Sequence, residues 1–291
     1  MPRATHETSS DLDPADPIIR LVDLWKSFGS VQVLKGISID FPRGQSTVVL
    51  GPSGCGKSVM LKHIPGLLRP DRGEVWFGGQ TIHGRRENQL GSIRREIGFL
   101  FQQSALFDSM NVERNVSFPL IEHTRLGRPE IRDRVEEVLE QVGLSQVMQK
   151  MPSELSGGQR KRVALARAIV LRPKVILYDE PTTGLDPIRA DSINELIIKL
   201  QTELNVTSIV VTHDLTSAFK VADRMVMLHE GRIVTQGLPE ALRQSEDSYV
   251  QQFLEGRSDE SDLLPVAGPA GVSNDTERRA ERKPRASRKD G

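Results

Sequence analysis

The sequence predicts an α/β fold with a parallel-sheet core, an antiparallel β subdomain and an α-helical insertion. The early strand-like runs are antiparallel in character, which indicates the β subdomain. The later apolar runs alternate with helical patterns, as in a buried parallel sheet. Residues from about 104 to 165 carry no strand signal, which indicates the helical insertion.

Short runs rich in apolar and β-branched residues predict the strands. These runs cover residues 18–24, 32–41, 46–50, 97–101, 174–178, 208–212 and 225–228. The turn at 229–232, followed by RIVTQG, predicts a hairpin near the end of the sheet.

Apolar residues at helical spacing predict two clear helices. The first covers 129–142, with Pro129 near its start and Gly143 just past its end, as helix boundaries favour. The second follows Pro187, where Ile193, Leu196 and two later apolar residues share one face.

The amino-acid composition limits the classes of protein to which the chain can belong. The 291 residues are 37% apolar and carry a formal net charge of zero, so we expect a real core and no nucleic-acid partner. The single cysteine, Cys55, excludes a disulfide framework. No run approaches roughly 18 uninterrupted apolar residues, so no membrane span is predicted. We expect one domain over 18–255, with its helical part at about 104–165, and disordered tails at 1–17 and 256–291.

The segment GPSGCGKS, residues 51–58, has the form G-x-x-x-x-G-K-[ST] of a P-loop. It follows the strand-like STVVL and precedes the helical KSVMLKHI, so a plain glycine turn without a ligand fits poorly. Glycines let successive backbone N–H groups point at one phosphate chain. Lys57 is expected to reach the β- and γ-phosphates, and the Ser58 hydroxyl to hold Mg²⁺. The predicted nucleotide-binding residues here are Gly51, Pro52, Ser53, Gly54, Cys55, Gly56, Lys57, Ser58 and Val59.

Two carboxylates, Asp179 and Glu180, follow the apolar run VILY. Asp179 is placed to meet Mg²⁺ through water, and Glu180 to polarise an attacking water, because phosphoryl transfer needs positioning and charge stabilisation. Paired acids at a strand end are by themselves more often the start of a solvated loop. Beside a P-loop that alternative becomes weak.

Three further residues are candidates for the same site. His213 ends the run SIVVTH and can reach a γ-phosphate, although a lone histidine there is usually a hydrogen-bonded core or loop residue. Gln102 also follows an apolar strand, and its amide can contact metal or water. Phe28 can stack on adenine, although an aromatic residue near a turn is more often core.

The stretch LSGGQ, residues 155–159, precedes a long helical pattern, which prepares a helix N-terminus to hold a phosphate. Ser156, Gly157, Gly158 and Gln159 are the candidate contacts. The chain therefore carries two phosphate-binding half-sites.

The run LSGGQRKRVALARAIVLRPKVILYDEPTTGLDP resembles the signature, Walker B strand and D-loop of the ATP-binding-cassette (ABC) family. Gln102 and His213 fall in the order of that family's glutamine loop and switch histidine, and the resemblance covers roughly residues 18 to 255. It implies a P-loop NTPase with a RecA-like core that uses ATP and Mg²⁺. It also implies two chains paired head to tail, each ATP lying between the P-loop of one chain and the LSGGQ of the other.

The same resemblance implies roles for individual residues. Phe28 takes the place of the adenine-stacking aromatic, which is usually tyrosine, and Asp186 that of the D-loop acid linking the two sites. Val59 stands where many relatives have threonine, so a hydroxyl contact from that position is missing. Cys55 lies within the cradle, where oxidation could block nucleotide, but a small filler residue is the better interpretation.

The resemblance also implies a membrane partner. In this family the region after Gln102, here SALFDSMNVERNVSFPL, forms a groove for a coupling helix of an integral-membrane permease. The alternative is that Phe107, Met110 and Phe118 are core of the insertion, in a setting that we interpret as loop-like.

A narrower resemblance concerns ALFDSMNVERNVSFPLIEHT, MPSELSGG, DEPTTGLDPI and YVQQFLEG, which are similar to the ATPase of Mla-type (MCE-associated) lipid transporters of diderm bacteria. It implies phospholipid as cargo, an MCE-domain subunit as a further partner, and a peripheral position on the cytoplasmic face of the inner membrane.

Other functions remain open at this point. An ATPase of an importer for amino acids or other small polar solutes would share the same engine. Cassettes also work off the membrane, in translation, DNA repair or chromosome structure, but the chain has one cassette and no room for a long coiled coil. A simple P-loop kinase would leave LSGGQ without a purpose.

Overall fold

The computed structural model describes residues 17–82 and 84–257 of the protein. The predicted disordered tails therefore fall outside the described residues, except at their inner ends. Pro17, which the sequence analysis assigns to the N-terminal tail, is instead the first residue of a strand and lies opposite Pro42. Proline is tolerated at a strand start because no ladder hydrogen bond is lost there. At the other end, Gly256 closes the last helix with a φ of 65°.

Ten strands form two sheets in the described part of the chain. They are β1 (Pro17–Phe28), β2 (Val31–Pro42), β3 (Ser46–Leu50), β4 (Arg72–Phe77), β5 (Gln80–Thr81), β6 (Ile97–Leu100), β7 (Val175–Asp179), β8 (Thr207–Thr212), β9 (Arg224–His229) and β10 (Arg232–Gly237). The antiparallel sheet has the order β2-β1-β4-β5, and the larger sheet has the order β10-β9-β3-β8-β7-β6. All neighbours in the larger sheet are parallel except β9 and β10. The predicted α/β fold with two kinds of sheet is confirmed.

The helices surround these sheets. They are α1 (Lys57–His63), α2 (Glu87–Arg95), α3 (Val112–His123), α4 (Arg128–Gln141), α5 (Gly157–Ile169), α6 (Pro187–Leu204), α7 (Leu215–Val221), α8 (Pro239–Arg243) and α9 (Ser248–Glu255). A 3₁₀ turn at Pro152–Glu154 precedes α5. Within the described ranges, none of these helices combines the length and apolarity needed to cross a bilayer.

The interpretation of the segment after Gln102 as loop-like is wrong for its second half. Val112 begins α3, because the Asn111 side chain accepts a hydrogen bond from the backbone N–H of Arg114 and so caps the helix. Strands β4 and β5 were also missed in the sequence, since two glycines and a short apolar run obscure the alternation there.

The larger sheet separates two hydrophobic clusters, which explains the continuous apolar runs within its strands. On β3, Val48 and Leu50 face one cluster while Val49 faces the other. The first cluster packs under α3 to α7, and the second joins the sheet to α1 and the antiparallel sheet. A strand buried on both faces favours apolar residues on both sides, so it loses the alternation of a surface strand. The buried polar residues of β3 and β8 are small Ser and Thr side chains at the strand ends.

Strand register sets the position of the candidate site residues. In the parallel pairs, Leu50 lies opposite Thr212, and Val211 lies opposite Asp179. The chain segments that leave β3, β8 and β7 therefore emerge side by side at the carboxyl edge of the sheet. This edge is where open α/β sheets bind their ligands.

Asn115 fixes the loop that leads into α3. Its side chain is fully buried and donates to the carbonyls of Phe107 at 3.0 Å, Met110 at 2.9 Å and Asn111 at 3.1 Å. Its carbonyl oxygen accepts from the backbone N–H of Phe107 at 2.8 Å. One amide thus replaces the backbone pairing that this loop lacks.

Replacing Asn115 with alanine should lower the free energy of unfolding by about 2–3 kcal/mol, because several buried polar groups lose their partner. Chemical denaturation of the full chain measures this change. The exposed neighbour on the same helix supplies the control: Arg114→Ala should change stability by no more than about 0.5 kcal/mol. Equal, small effects of both substitutions would contradict the assigned role of Asn115.

Candidate active site

The P-loop lies between β3 and α1, and its glycines allow close contact with neighbouring backbone. A Cβ atom at Gly51 would lie 2.1 Å from the carbonyl oxygen of Leu228. At Gly56, which has a φ of 107°, a Cβ atom would lie 2.8 Å from Leu34 Cδ2. Ser53 and Gly54 are exposed at the tip of the loop. The cradle therefore has the form that backbone N–H groups need to surround a phosphate chain.

Lys57 lies buried inside this loop. Its Nζ donates to the carbonyls of Gly51 at 2.7 Å and Pro52 at 2.9 Å. The same ammonium is 3.7 Å from the Glu180 carboxylate. A positive charge is thus held between the cradle and the Walker B acids, where negative phosphate oxygens are expected.

Ser58 and Asp179, which we predict from the sequence as Mg²⁺ ligands, are in direct contact. Ser58 Oγ donates to Asp179 Oδ1 at 2.6 Å. Burial raises the pKa of Asp179, while the Ser58 hydrogen bond acts in the opposite direction. In the described chain no group of three or more His, Cys, Asp or Glu residues forms a metal cluster. One hydroxyl and one carboxylate fit Mg²⁺, which is bound through few protein ligands together with substrate phosphates.

Gln102 follows β6, the neighbour of β7, but its side chain is exposed and no described hydrogen bond joins it to Ser58 or Asp179. Its main-chain carbonyl accepts instead from Lys161 Nζ at 3.1 Å. The metal contact predicted for the Gln102 amide therefore stays a prediction.

Several contacts fix the position of Glu180. It is buried and has a left-handed φ of 50°, which for a residue other than glycine costs about 1–3 kcal/mol. Its backbone N–H donates to Val211 O at 2.9 Å, and its carboxylate accepts from Thr183 Oγ1 at 2.9 Å. His213 Nδ1 lies 3.0 Å from both carboxylate oxygens. Strain persists only where surrounding contacts fix it, and such positions favour catalytic roles.

Sequence reasoning missed three side chains that support Glu180. Thr183 and Thr212 approach its carboxylate, at 2.9 Å and 3.5 Å respectively. Lys161 Nζ donates to its main-chain carbonyl at 3.3 Å. Thr212 precedes the predicted His213, and Thr183 lies three residues after Glu180, but the sequence alone does not show that both contact this carboxylate. Lys161 has a helical signal, because it lies three residues after buried Gly158 on the same face.

The signature forms the start of α5. Ser156 Oγ accepts from the backbone N–H of Gln159 at 3.3 Å, and Gln159 Oε1 accepts from the backbone N–H of Ser156 at 2.9 Å. This reciprocal capping box satisfies two donors, while Gly157 and Gly158 keep the first turn open. No described hydrogen bond joins the signature to the P-loop of the same chain. The structure therefore does not bring the two half-sites together within one chain.

Phe28 and Asp186 each lie at the end of a secondary-structure element. Phe28 ends β1 with 48% of its surface exposed, and Lys26 Nζ lies 5.5 Å from its ring centroid. Asp186 caps α6 by accepting from the backbone N–H of Arg189 at 3.0 Å.

No catalytic contact is assigned to Val59 or Cys55, which also belong to the P-loop segment. The Val59 carbonyl lies 2.7 Å from His63 Nδ1. Burial raises the pKa of the Cys55 thiol, which keeps it in the unreactive thiol form and agrees with a filler role.

Comparisons with known proteins agree with this geometry. Residues 34–183 match the family described as ABC transporter. The chain is 44% identical over 262 residues to the probable ribonucleotide transport ATP-binding protein mkl of Mycobacterium leprae, covering 90% of this chain and 73% of the relative. It is 41% identical over 254 residues to the intermembrane phospholipid transport system ATP-binding protein MlaF of Escherichia coli, covering 87% of this chain and 94% of the relative. The dimeric structure of a post-hydrolysis state of the ATP-binding cassette MJ0796 bound to ADP and Pi aligns with a TM-score of 0.71 at 35% identity, covering 76% of this chain and 98% of that chain.

The raised pKa of Asp179 predicts that Asp179→Asn stabilises the protein in the absence of nucleotide and Mg²⁺. Ionised Asp179 is disfavoured in the folded state, so near neutral pH its neutral isostere should unfold at a higher temperature than the wild type. The difference should shrink as the pH falls through the window between the raised pKa and the ordinary value of 3.8, because the wild-type carboxyl is then protonated too.

Thermal unfolding at neutral and acidic pH measures this effect. Asp186→Asn is the control, because asparagine caps a helix as well as aspartate does and the site is exposed. A lower midpoint for Asp179→Asn at neutral pH would show that the ionised form is favoured by folding.

Proposed function

This chain belongs to the ABC transporter family, and from that premise we propose that its ATP hydrolysis drives phospholipid transport between the inner and outer membranes of a bacterial envelope. The chain is an ATP-binding, ATP-hydrolysing subunit. The observation that carries its chemistry is the meeting of the P-loop, the Ser58–Asp179 pair and the Glu180–His213 pair at one sheet edge.

The chain's own groups divide the work of hydrolysis. The cradle around Gly51 and Lys57 would bind and orient the phosphates of ATP. Ser58 and Asp179 would hold Mg²⁺, which supplies neutralisation of the phosphate charge. Glu180, fixed by Thr183 and His213, would orient the attacking water and accept its proton.

We place the second half of each ATP site on another copy of the chain. Ser156 and the amides of Gly157 and Gly158 form an outward-facing helix N-terminus, and such a terminus favours a negatively charged phosphate. In a head-to-tail pair the signature of one chain would close the P-loop of the other. Asp186, at the start of α6, would lie at the contact between the two sites. The dimeric MJ0796 structure supports a paired arrangement.

An apolar surface on the helical insertion supports a permease partner. Phe107 is 41% exposed and Ile121 58% exposed, and the ring of Phe107 lies 5.1 Å from that of Phe118. Arg167 supports the loop beneath by donating to the carbonyls of Ser104 and Ala105. A braced aromatic surface of this kind suits a helix of a membrane subunit. It would hold the ATPase at the cytoplasmic face of the inner membrane.

The proposed cargo is inferred from the names of relatives, because the geometry of the ATP site does not depend on the cargo. The name of the Escherichia coli relative refers to intermembrane phospholipid transport, which supports phospholipid as the cargo here. An MCE-domain subunit is proposed from the sequence resemblance to Mla-type ATPases. The name of the mycobacterial relative refers to ribonucleotide transport. A solute importer would use the same ATPase geometry, so the membrane partners decide between these cargoes.

Glu180→Gln should reduce ATP hydrolysis by about a hundredfold to ten-thousandfold, because it removes the group that accepts a proton from water. Binding of ATP should persist, and a stable pair of chains should accumulate with ATP. Turnover and size-exclusion chromatography of the purified protein test this prediction. Glu203→Gln, an exposed substitution on α6, is the control and should hydrolyse normally.

The same variant identifies the cargo when it is tagged and purified from gently solubilised native membranes. Co-purification of a polytopic permease, an MCE-domain protein and phospholipid would support the proposal. A solute-importer permease would keep the ATPase mechanism and overturn the cargo. Recovery of ribosomes or DNA without a permease would overturn transport.

The paired site predicts that two inactive variants restore each other. Lys57→Ala disables the P-loop and Ser156→Arg disables the signature, so each variant alone should lose hydrolysis. A mixed pair keeps one composite site with both parts intact. Differently tagged chains, co-expressed and purified through both tags, should therefore hydrolyse ATP above either variant alone. A mixed pair as inactive as its parents would contradict the head-to-tail arrangement.

A further inference from the structure

Lys161 is a buried lysine on the signature helix α5, and the division of hydrolysis among residues proposed above does not use it. Only 5% of its surface is exposed. Its Nζ donates to two main-chain carbonyls, that of Gln102 at 3.1 Å and that of Glu180 at 3.3 Å. Burial lowers the pKa of this ammonium, while the charges of Glu180 and Asp179 act in the opposite direction.

A lysine at this position is unfavourable for folding alone. Lysine is almost never fully buried unless it is paired, because its ammonium loses hydration. The contacts made here are to neutral carbonyls, and Lys57 already lies 3.7 Å from the Glu180 carboxylate. The helix face that carries Lys161 is otherwise apolar, with buried Ala164 and Leu165 in the following turn. Stability of α5 therefore does not account for the charge.

The two carbonyls belong to the segments whose geometry matters for hydrolysis. Glu180 has a left-handed φ of 50°, so its peptide group must be fixed from outside for the carboxylate to keep its direction. The Glu180 N–H donates to Val211 on β8, and the Glu180 C=O accepts from Lys161. Gln102 is the second residue after β6, where the chain leaves the sheet for the insertion.

We propose that Lys161 is a positioning residue for ATP hydrolysis. It fixes the main chain of Glu180 and links it to the main chain of Gln102, near the start of the helical insertion. This inference rests on the proposed role of Glu180 as the group that activates water. Lys161 acts through Glu180 of its own chain, and hence on the composite site that contains its own P-loop. It touches main chain and not the reacting atoms.

The first test compares Lys161→Met and Lys161→Arg in the full chain and its membrane complex. Methionine keeps the apolar stem and removes the donors, so kcat should fall at least about tenfold while the Kd for ATP stays unchanged. Arginine keeps both charge and donors and should restore most of the turnover. Lys199→Met is the control, because Lys199 also donates to a main-chain carbonyl, that of Gln141 at 3.3 Å, but far along α6.

Normal turnover in Lys161→Met would overturn the inference, as would parallel losses of turnover, ATP affinity and thermal stability. Glu180→Gln is measured beside it. If that variant loses turnover and Lys161→Met does not, the inference alone fails. If Glu180→Gln hydrolyses ATP normally, both the proposed role of Glu180 and the inference on Lys161 fail.

The mixed pair separates positioning of Glu180 from support of the signature. Its working site takes the P-loop and Glu180 from the chain with Ser156→Arg, and the signature from the chain with Lys57→Ala. Lys161→Met should reduce turnover when added to the first chain and leave it unchanged when added to the second. The reverse pattern would show that Lys161 supports the signature helix, and equal losses in both placements would also overturn the inference.

Discussion

The parallel pairing of β3, β8 and β7 is the constraint on which the rest of the structure depends. Its register places Leu50 beside Thr212 and Val211 beside Asp179. Residues that are more than a hundred positions apart in the sequence, such as Ser58 and Asp179, therefore meet within hydrogen-bond distance. Burial of both sheet faces keeps this register, because a shift by one residue would move every side chain to the opposite face.

The charges gathered at this edge of the sheet are only partly compensated by one another. Two carboxylates and two ammonium groups lie in a region that is largely removed from water. Hydrogen bonds and neighbours of opposite sign offset part of the cost of burying each group, and for Asp179 the cost of burial outweighs this compensation. A site of this kind lowers the stability of the fold, but it gives the substrate a fixed electrostatic environment.

Much of this arrangement follows from local sequence. The buried strands and the P-loop were predicted within a residue or two, since continuous apolar runs and the glycine spacing are local signals. The contacts of Thr212 and Lys161 were not predicted, because both reach partners that are distant in sequence. The start of α3 was missed because the capping by Asn111 follows an aromatic loop, whose apolar residues hide the helical period.

The capping box of the signature has a consequence for reversibility. In a single chain Ser156 already shares a hydrogen bond with the backbone of Gln159. In the proposed pair, a phosphate of another copy would accept the hydroxyl hydrogen of that serine, while the serine oxygen could go on accepting from Gln159, so no hydrogen bond within the chain has to break. Such a contact would form and break at each turnover without any rearrangement of α5, whose first turn would be the same in a single chain and in a pair.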